Sequence, residues 1–403
     1  LENERANEAE YQARRTRRLS FPSTLTLAHT TRFNFYCRHC SKGYEPYVGV
    51  DLPRDLLDKV LDSLLPHAIR ADITGFGEPT IGSEYGHLLE RLVEAGVAPK
   101  FNTNVSTLTL PHIELLVRAQ GQITLSIDGA TRETFEGIRA GGNWDRLMYT
   151  LHAVQRVRSI YQTAGWWGVT FVATRKNIHE LPEMVRLVKR FGFDQLLAQD
   201  YQPFDVSFDT ESLRGEPERA NRFLDESESL ARELGVELIT PVRYIRGAPS
   251  PVEALIKKLL STKRVLPKRG RFPQGCSHPW REARVNYRGE VNPCCFSWRK
   301  LGDIKERPFH KIWNGWRYRL FRWRIHTLFP PPECRLCHGF DGINRGNPGN
   351  TKLQEGILLK VLYRLEELLE RVFARRGAKV ERPNYFLGKH WDPEEGTARP
   401  VPK

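Results

Sequence analysis

The chain has 403 residues, with 62 Lys and Arg against 48 Asp and Glu, giving a formal charge of +14 at pH 7. Apolar residues make up 40% and charged residues 27%, enough apolar mass to bury a core and to exclude wholesale disorder. There is no apolar run of about 18 residues to span a membrane, and the polar opening residues lack the apolar centre of a secretion signal, so a cytoplasmic protein is expected.

Taken in chain order, a basic N-terminal segment (1–20) precedes an alternation of short β-rich runs and helical patterns. Strands are expected at 25–27, 70–74, 99–102, 123–127, 167–173 and 194–199. Helices are expected at 56–65, 88–95, 112–119, 131–138, 144–157 and 181–191. Alternation of this kind predicts an α/β fold with parallel strands and crossover helices, a partial (β/α)6 TIM-like barrel over 21–240 that falls short of eight units. The rhythm fails after about 205. An acidic helix is expected at 209–235, a basic Pro-containing connector at 241–275, and a cysteine-rich module with little helix at 276–345. The remainder, 346–403, reads as an amphipathic helix (355–376) followed by a loose tail. Positive charge collects at Arg14, Arg15, Arg17 and Arg18 and again over 316–326 (WRYRLFRWRIH). This is read as a solvated basic surface, with nucleic acid not expected as a partner.

The seven cysteines are Cys37, Cys40, Cys276, Cys294, Cys295, Cys334 and Cys337. None falls between 41 and 275, which argues against scattered disulfides, and two C-x-x-C pairs in one chain point to thiolate metal ligation. Zinc and iron–sulfur ligation are both compatible with such pairs.

The segment Phe33-Asn34-Phe35-Tyr36-Cys37-Arg38-His39-Cys40 follows the first strand. With Cys in place of Phe33 it would read C-x-x-x-C-x-x-C, and it resembles the cluster motif of the radical S-adenosylmethionine (SAM) superfamily. The order of later segments strengthens the resemblance. Gly75-Phe76-Gly77-Glu78-Pro79 is similar to the family's G-G-E-P turn. Phe101-Asn102-Thr103-Asn104 is similar to its T-N-G element, with Val105 where Gly is usual. Ile123–Thr131, running on to Arg139, is similar to its SAM-binding segment, and Asn177–Leu181 is again family-like. The C-terminal cysteines, with Gly289–Cys295, Leu301–Ile304 and Ile312–Asn314, resemble the SPASM/twitch extension of radical SAM maturases and carbohydrate oxidases.

The resemblance implies two [4Fe–4S] clusters and SAM as cofactors. Cys37 and Cys40 would hold the SAM-binding cluster, left incomplete by Phe33, and Cys276, Cys294, Cys334 and Cys337 the auxiliary one. Gly77, Glu78, Asn102, Asn104, Ser126 and Arg139 would bind SAM: Glu78 at its amino group, Ser126 at a ribose hydroxyl, Arg139 at its carboxylate. Cys295, left over, would replace Cys294 as ligand, donate a hydrogen atom to a substrate radical, or simply pack. Asp200 and Tyr201 would face the substrate cavity. The implied activity is a radical SAM oxidoreductase: a 5′-deoxyadenosyl radical abstracts hydrogen from an unreactive C–H of a sugar, aminocyclitol or peptide, giving oxidation or epimerisation, with a flavodoxin or ferredoxin as electron donor. Phe33 cannot ligate iron. It admits an inactivating Cys-to-Phe change, an incompletely held cluster, or a degenerate homologue that binds a peptide or partner without radical chemistry.

Overall fold

The computed structural model describes residues 2–37, 39–40, 49–75, 77–161, 165–201, 210–241, 243–244, 276–297, 299–327 and 331–335, with a small two-stranded sheet of His390–Trp391 and Ala398–Arg399. The connector from 245 to 275, Cys337 and the helix expected at 355–376 lie outside these residues.

Six parallel strands follow one another between residues 24 and 200, as the alternation predicts: β1 (Thr24–Ala28), β3 (Arg70–Asp72), β4 (Ala98–Thr103), β5 (Gln122–Ser126), β7 (Trp166–Ala173) and β8 (Gln195–Asp200). Helices α2 (Arg54–Leu64), α3 (Tyr85–Glu94), α4 (Leu110–Arg118), α6 (Trp144–Tyr161) and α7 (Leu181–Phe191) join them. Each helix buries one stripe. On α7, for example, Leu181, Met184, Val185, Val188 and Phe191 are all buried, and the helix ends at Gly192 in the left-handed region (φ 65°). A seventh parallel strand that the sequence reading missed, β9 (Glu237–Ile239), follows α8 (Pro217–Leu234).

Strand alternation divides the sheet into two faces. Leu25, Leu27, Ala71, Phe101, Ile123, Leu125, Trp167, Val169 and Phe171 are buried in the apolar core with the helices. The register sets the intervening residues side by side on the other face: Thr26 beside Asp72, Asp72 beside Lys100, Asn102 beside Thr124, and Ser126 beside Thr170. One face of the sheet is therefore polar, the surface a partial barrel offers to a ligand.

Two expectations need correction. Residues 276–345 hold more helix than expected: α9 (His278–Arg281), α10 (Phe309–Trp313), α11 (Trp316–Ile325) and α12 (Pro332–Arg335). They also extend the main sheet. β10 (Glu282–Asn286) pairs in parallel with β1, and β11 (Glu290–Asn292) and β12 (Gly302–Asp303) add antiparallel, giving a ten-stranded sheet. The basic stretch at 316–326 is not simply solvated. Arg322 is fully buried, its guanidinium 4.1 Å from the Trp313 ring and 4.6 Å from the Tyr318 ring, and it donates to the carbonyls of Pro279, Thr16 and Trp313. Periodicity hides this because a cation stands at a core position.

The N-terminal segment contains α1 (Glu2–Gln12) and straps the C-terminal module to the barrel. Asn3 and Asn7 donate to the Phe21 carbonyl. Buried Arg18 donates to Asn7 Oδ1, Ser20 Oγ and the Trp280 carbonyl, and pairs with Glu10 at 3.0 Å. Asn314 brackets the Arg18 backbone from both sides, and Trp313 Nε1 donates to the Ser20 carbonyl. Burial pushes the Glu10 carboxyl up, but hydrogen bonds from Ser20 and Leu19 and the Arg18 charge outweigh it and leave it lowered. Arg18→Ala strands the Glu10 charge and is expected to cost about 3–5 kcal/mol of stability, read from denaturant unfolding. Adding Glu10→Gln should recover part of that loss.

Candidate active site

The loop after β1 carries residue 33 and is held on both flanks. On one side Glu78 N donates to the Arg32 carbonyl at 2.7 Å. Gly77 sits so close that an added Cβ would lie 2.2 Å from that same oxygen, which is why glycine is required there. On the other side Asn34 accepts from Asn104 Nδ2 at 2.8 Å and donates to Ser106 Oγ at 2.9 Å. Phe33 is half-buried and packs edge-on against Tyr36.

Glu78 is buried and accepts from Thr80 N and Oγ1, Thr103 Oγ1 and Asn104 N. Burial nonetheless holds its carboxyl above the usual value. With four protein donors on it, Glu78 ties the turn before α3 to the end of β4. Asn104 spends its side chain on Asn34 and Ser106, while Asn102 is exposed on the polar face of the sheet. Val105 has φ 61°, the left-handed conformation that favours glycine, so a β-branched residue takes a glycine-type backbone shape at the end of β4.

The cysteine loop is also clamped by the segment that follows α5 (Arg132–Ile138). β2 (Tyr36–Cys37) pairs antiparallel with β6 (Arg139–Ala140) and sets Cys37 opposite Arg139. Arg139 Nη1 lies 3.9 Å from Cys37 Sγ, and Nη2 is 2.7 Å from Asp128 Oδ2. The same Asp128 oxygen is 3.5 Å from His39 Nε2, and Oδ1 accepts from Val172 N. Arg139 Nε is buried without a partner among the described residues. Burial pushes the Cys37 thiol up to about 11, against the pull of Arg139. Cys40 N closes the turn onto the Cys37 carbonyl at 3.1 Å.

Asp128 itself is held by residues that the sequence reading took only as family-like or as a helix start. Asn177 Nδ2 donates to the Asp128 carbonyl. Glu180 accepts from the N–H groups of Ala130 and Thr131 and from the hydroxyls of Thr131 and Thr134. The sequence signal was the Asn177–Leu181 segment, but only the fold brings it against the 128–131 turn. Ser126 stands half-buried at the end of β5 on the polar face. Asp200 pairs with Arg214 at 2.6 Å and accepts from Tyr244 Oη at 2.8 Å, while buried Tyr201 lines a pocket with His39, Thr174, Lys176 and Glu211.

In the C-terminal module, Cys276, Cys294 and Cys334 line one recess with Phe296, Phe321 and Ile325. Cys337 lies outside the described residues. Cys295, the neighbour of Cys294, is exposed. Lost hydration around its thiol still pushes it up to about 12, with Glu282 and Asp72 adding to the rise and Arg284 opposing it.

Residues 27–188 match the Radical SAM superfamily, and residues 276–338 match SPASM, the Iron-sulfur cluster-binding domain. The chain thus holds a radical SAM domain followed by a SPASM domain. It is similar to Mycofactocin maturase MftC of Mycobacterium tuberculosis (strain CDC 1551 / Oshkosh), 29% identical over 180 residues. That match covers 44% of this chain, and the chain spans less than half (44%) of the relative's length. It is also similar to the tungsten-containing aldehyde ferredoxin oxidoreductase cofactor-modifying protein of Pyrococcus furiosus, 24% identical over 340 residues, 78% of this chain and 86% of that one. Among solved structures, Streptococcus suis SuiB bound to S-adenosylmethionine superposes with a TM-score of 0.53 at 15% identity, over 79% of this chain and 69% of SuiB. That likeness supports the α/β partial-barrel fold.

The two domains imply a [4Fe–4S] cluster with SAM and an auxiliary iron–sulfur cluster. The residues present fit these groups unequally. Cys276, Cys294 and Cys334 share one largely apolar recess and are the residues that would hold the auxiliary cluster. The first site offers only Cys37 and Cys40 where three thiolates are needed, and Phe33 supplies nothing.

His29 sits beneath this rim, buried, with Nε2 3.1 Å from the Pro79 carbonyl and its ring packed under Gly82. Burial lowers it to about 4. Between pH 6.5 and 4 the unfolded chain holds the proton and the folded one does not. Stability should therefore fall by about 3 kcal/mol as pH drops through that window. His29→Gln should flatten that slope in unfolding curves taken from pH 7 to 4.

Proposed function

We propose that the chain is a radical SAM oxidoreductase acting on an unreactive C–H of a peptide, disabled as written by Phe33. The observation that carries this reading is the anchoring of residue 33 between Arg32, tied to the Gly77–Glu78 turn, and Asn34, tied to Asn104. A thiolate at position 33 would stand on a segment held on both flanks, where the phenyl ring offers iron no ligand. Peptide is favoured over sugar or aminocyclitol because solved neighbours include SuiB bound to precursor peptide SuiA.

Completed by a third thiolate, such a site supplies a 5′-deoxyadenosyl radical from SAM. The chain's own residues have the following roles. Arg139, whose Nε has no partner among the described residues, would pair with the SAM carboxylate while Asp128 fixes its other arm. Asn102 and Ser126, on the polar face, meet the ribose. Gly77 lets the backbone approach closely, and Glu78 acts as a positioning residue for Thr103 and Asn104. Asp200 and Tyr201 orient the substrate. Cys295 would give the substrate radical a hydrogen atom and keep a thiyl radical for the electron donor to reduce, an epimerisation; without that donation the substrate radical would lose a proton and pass its electron to the auxiliary cluster, an oxidation. A ferredoxin or flavodoxin serves as electron donor.

Phe33→Cys, reconstituted anaerobically, is the test. The parent should carry about four irons per chain, in the auxiliary site alone, and the variant about eight. The variant should also release 5′-deoxyadenosine from SAM, where the parent does not. A variant that gains neither iron nor deoxyadenosine overturns the proposal. Zinc in place of iron in the parent supports the other reading that Phe33 favours, a peptide-binding module without radical chemistry.

A further inference from the structure

The polar face of the sheet does not stop at the barrel. β10 continues it, so that Glu282 stands beside Thr24 and Arg284 beside Thr26, one strand from Asp72. Both side chains are buried. Glu282 is saturated: Oε1 accepts from Thr26 Oγ1 at 2.8 Å and Oε2 lies 2.5 Å from His278 Nδ1. Arg284 reaches the other way, its Nη1 donating to the Cys295 carbonyl at 2.8 Å. It thus grips the turn in which Cys294 faces the thiol-lined recess while Cys295 lies within electrostatic reach of Asp72, on β3 of the barrel. The Arg284 cation is coupled to both the Cys294 and Cys295 sulfurs.

We infer that Arg284 is a positioning residue that links the auxiliary cluster site to the barrel cavity. It fixes the Cys294–Cys295 turn and places a buried positive charge beside the cluster thiolates, so that the reduced, more negative form of the cluster is favoured. The physical basis is that cluster potentials follow net charge, hydrogen bonding and solvent exposure, and that a charge in a poorly hydrated interior is weakly screened. Glu282, on the same face of the same strand, acts in the opposite sense and limits the effect. The inference rests on the reading that Cys276, Cys294 and Cys334 hold iron.

The parent chain suits the experiment because its first site lacks a thiolate, leaving the auxiliary cluster as the redox centre to be measured. Iron and sulfide content are determined first, and then the reduction potential by dye-mediated titration with EPR detection. Arg284→Gln should shift the reduction equilibrium about tenfold toward the oxidised form, about 59 mV for one electron. Arg284→Lys, which keeps the charge, should shift it less. Glu282→Gln should shift it the other way.

An iron-loaded Arg284→Gln protein whose potential matches the parent's overturns the inference and leaves the reading of the site intact. A parent without iron in this domain overturns both. If Arg284→Gln does not assemble a cluster, Arg284→Met decides: a potential below the parent's supports the inference, and an unchanged potential overturns it.

Discussion

The buried pair of Arg139 and Asp128 is the interaction on which the rest of the site depends. Arg139 lies opposite Cys37 in a two-residue ladder, and Asp128 reaches His39 on the other side of the same loop. A charge pair removed from water depends on the further hydrogen bonds that its groups make. Asp128 receives the Val172 N–H, and Asn177 and Glu180 hold its turn from behind. The cysteine loop is therefore fixed by β5, β7 and the start of α7 together. Within the loop itself, Cys40 N donates to the Cys37 carbonyl, a turn hydrogen bond that adds to these long-range contacts.

A second set of contacts joins the two ends of the chain. Arg18 and Arg322 are cations in the interior, one bound to Glu10 and neighbouring oxygens, the other stacked between Trp313 and Tyr318 over three carbonyls. Each is tolerated because several donors of its planar guanidinium meet acceptors in fixed positions, a spread that an ammonium cannot match. The consequence is that the cysteine module is not an appendage. β10 pairs with β1 along its whole length, and β1 leads directly into the loop carrying residue 33. The two cysteine regions, more than 200 residues apart in the chain, are adjacent through a single strand pair.

Much of the fold was legible from local pattern. The six parallel strands and their helices follow from the change between two-residue and helical spacing, and α7 shows why: its apolar stripe and its terminal glycine are both local signals. The SAM-type segments were legible too, because each demands a residue type at a strand end, such as Gly77 where backbone meets backbone. What sequence patterning missed was polar. The N-terminal helix buries Asn7 and Glu10, and α11 buries Arg322, so neither presents a clean apolar stripe. The role of Glu180 was invisible because its partners lie some fifty residues earlier.

By itself the sequence determined the chemistry available. It placed thiols at 37, 40, 276, 294, 334 and 337, put a phenyl ring at 33, and spaced its strands and helices for a parallel α/β sheet. Residue type and local periodicity are properties of the chain and need no partner. Only the tertiary structure decided that Arg139 pairs with Asp128, that Glu78 spends its oxygens on protein donors, and that Cys294 turns to the recess while Arg284 grips its neighbour. Those outcomes depend on which polar groups lose water together, and that is set by strand register and long-range packing.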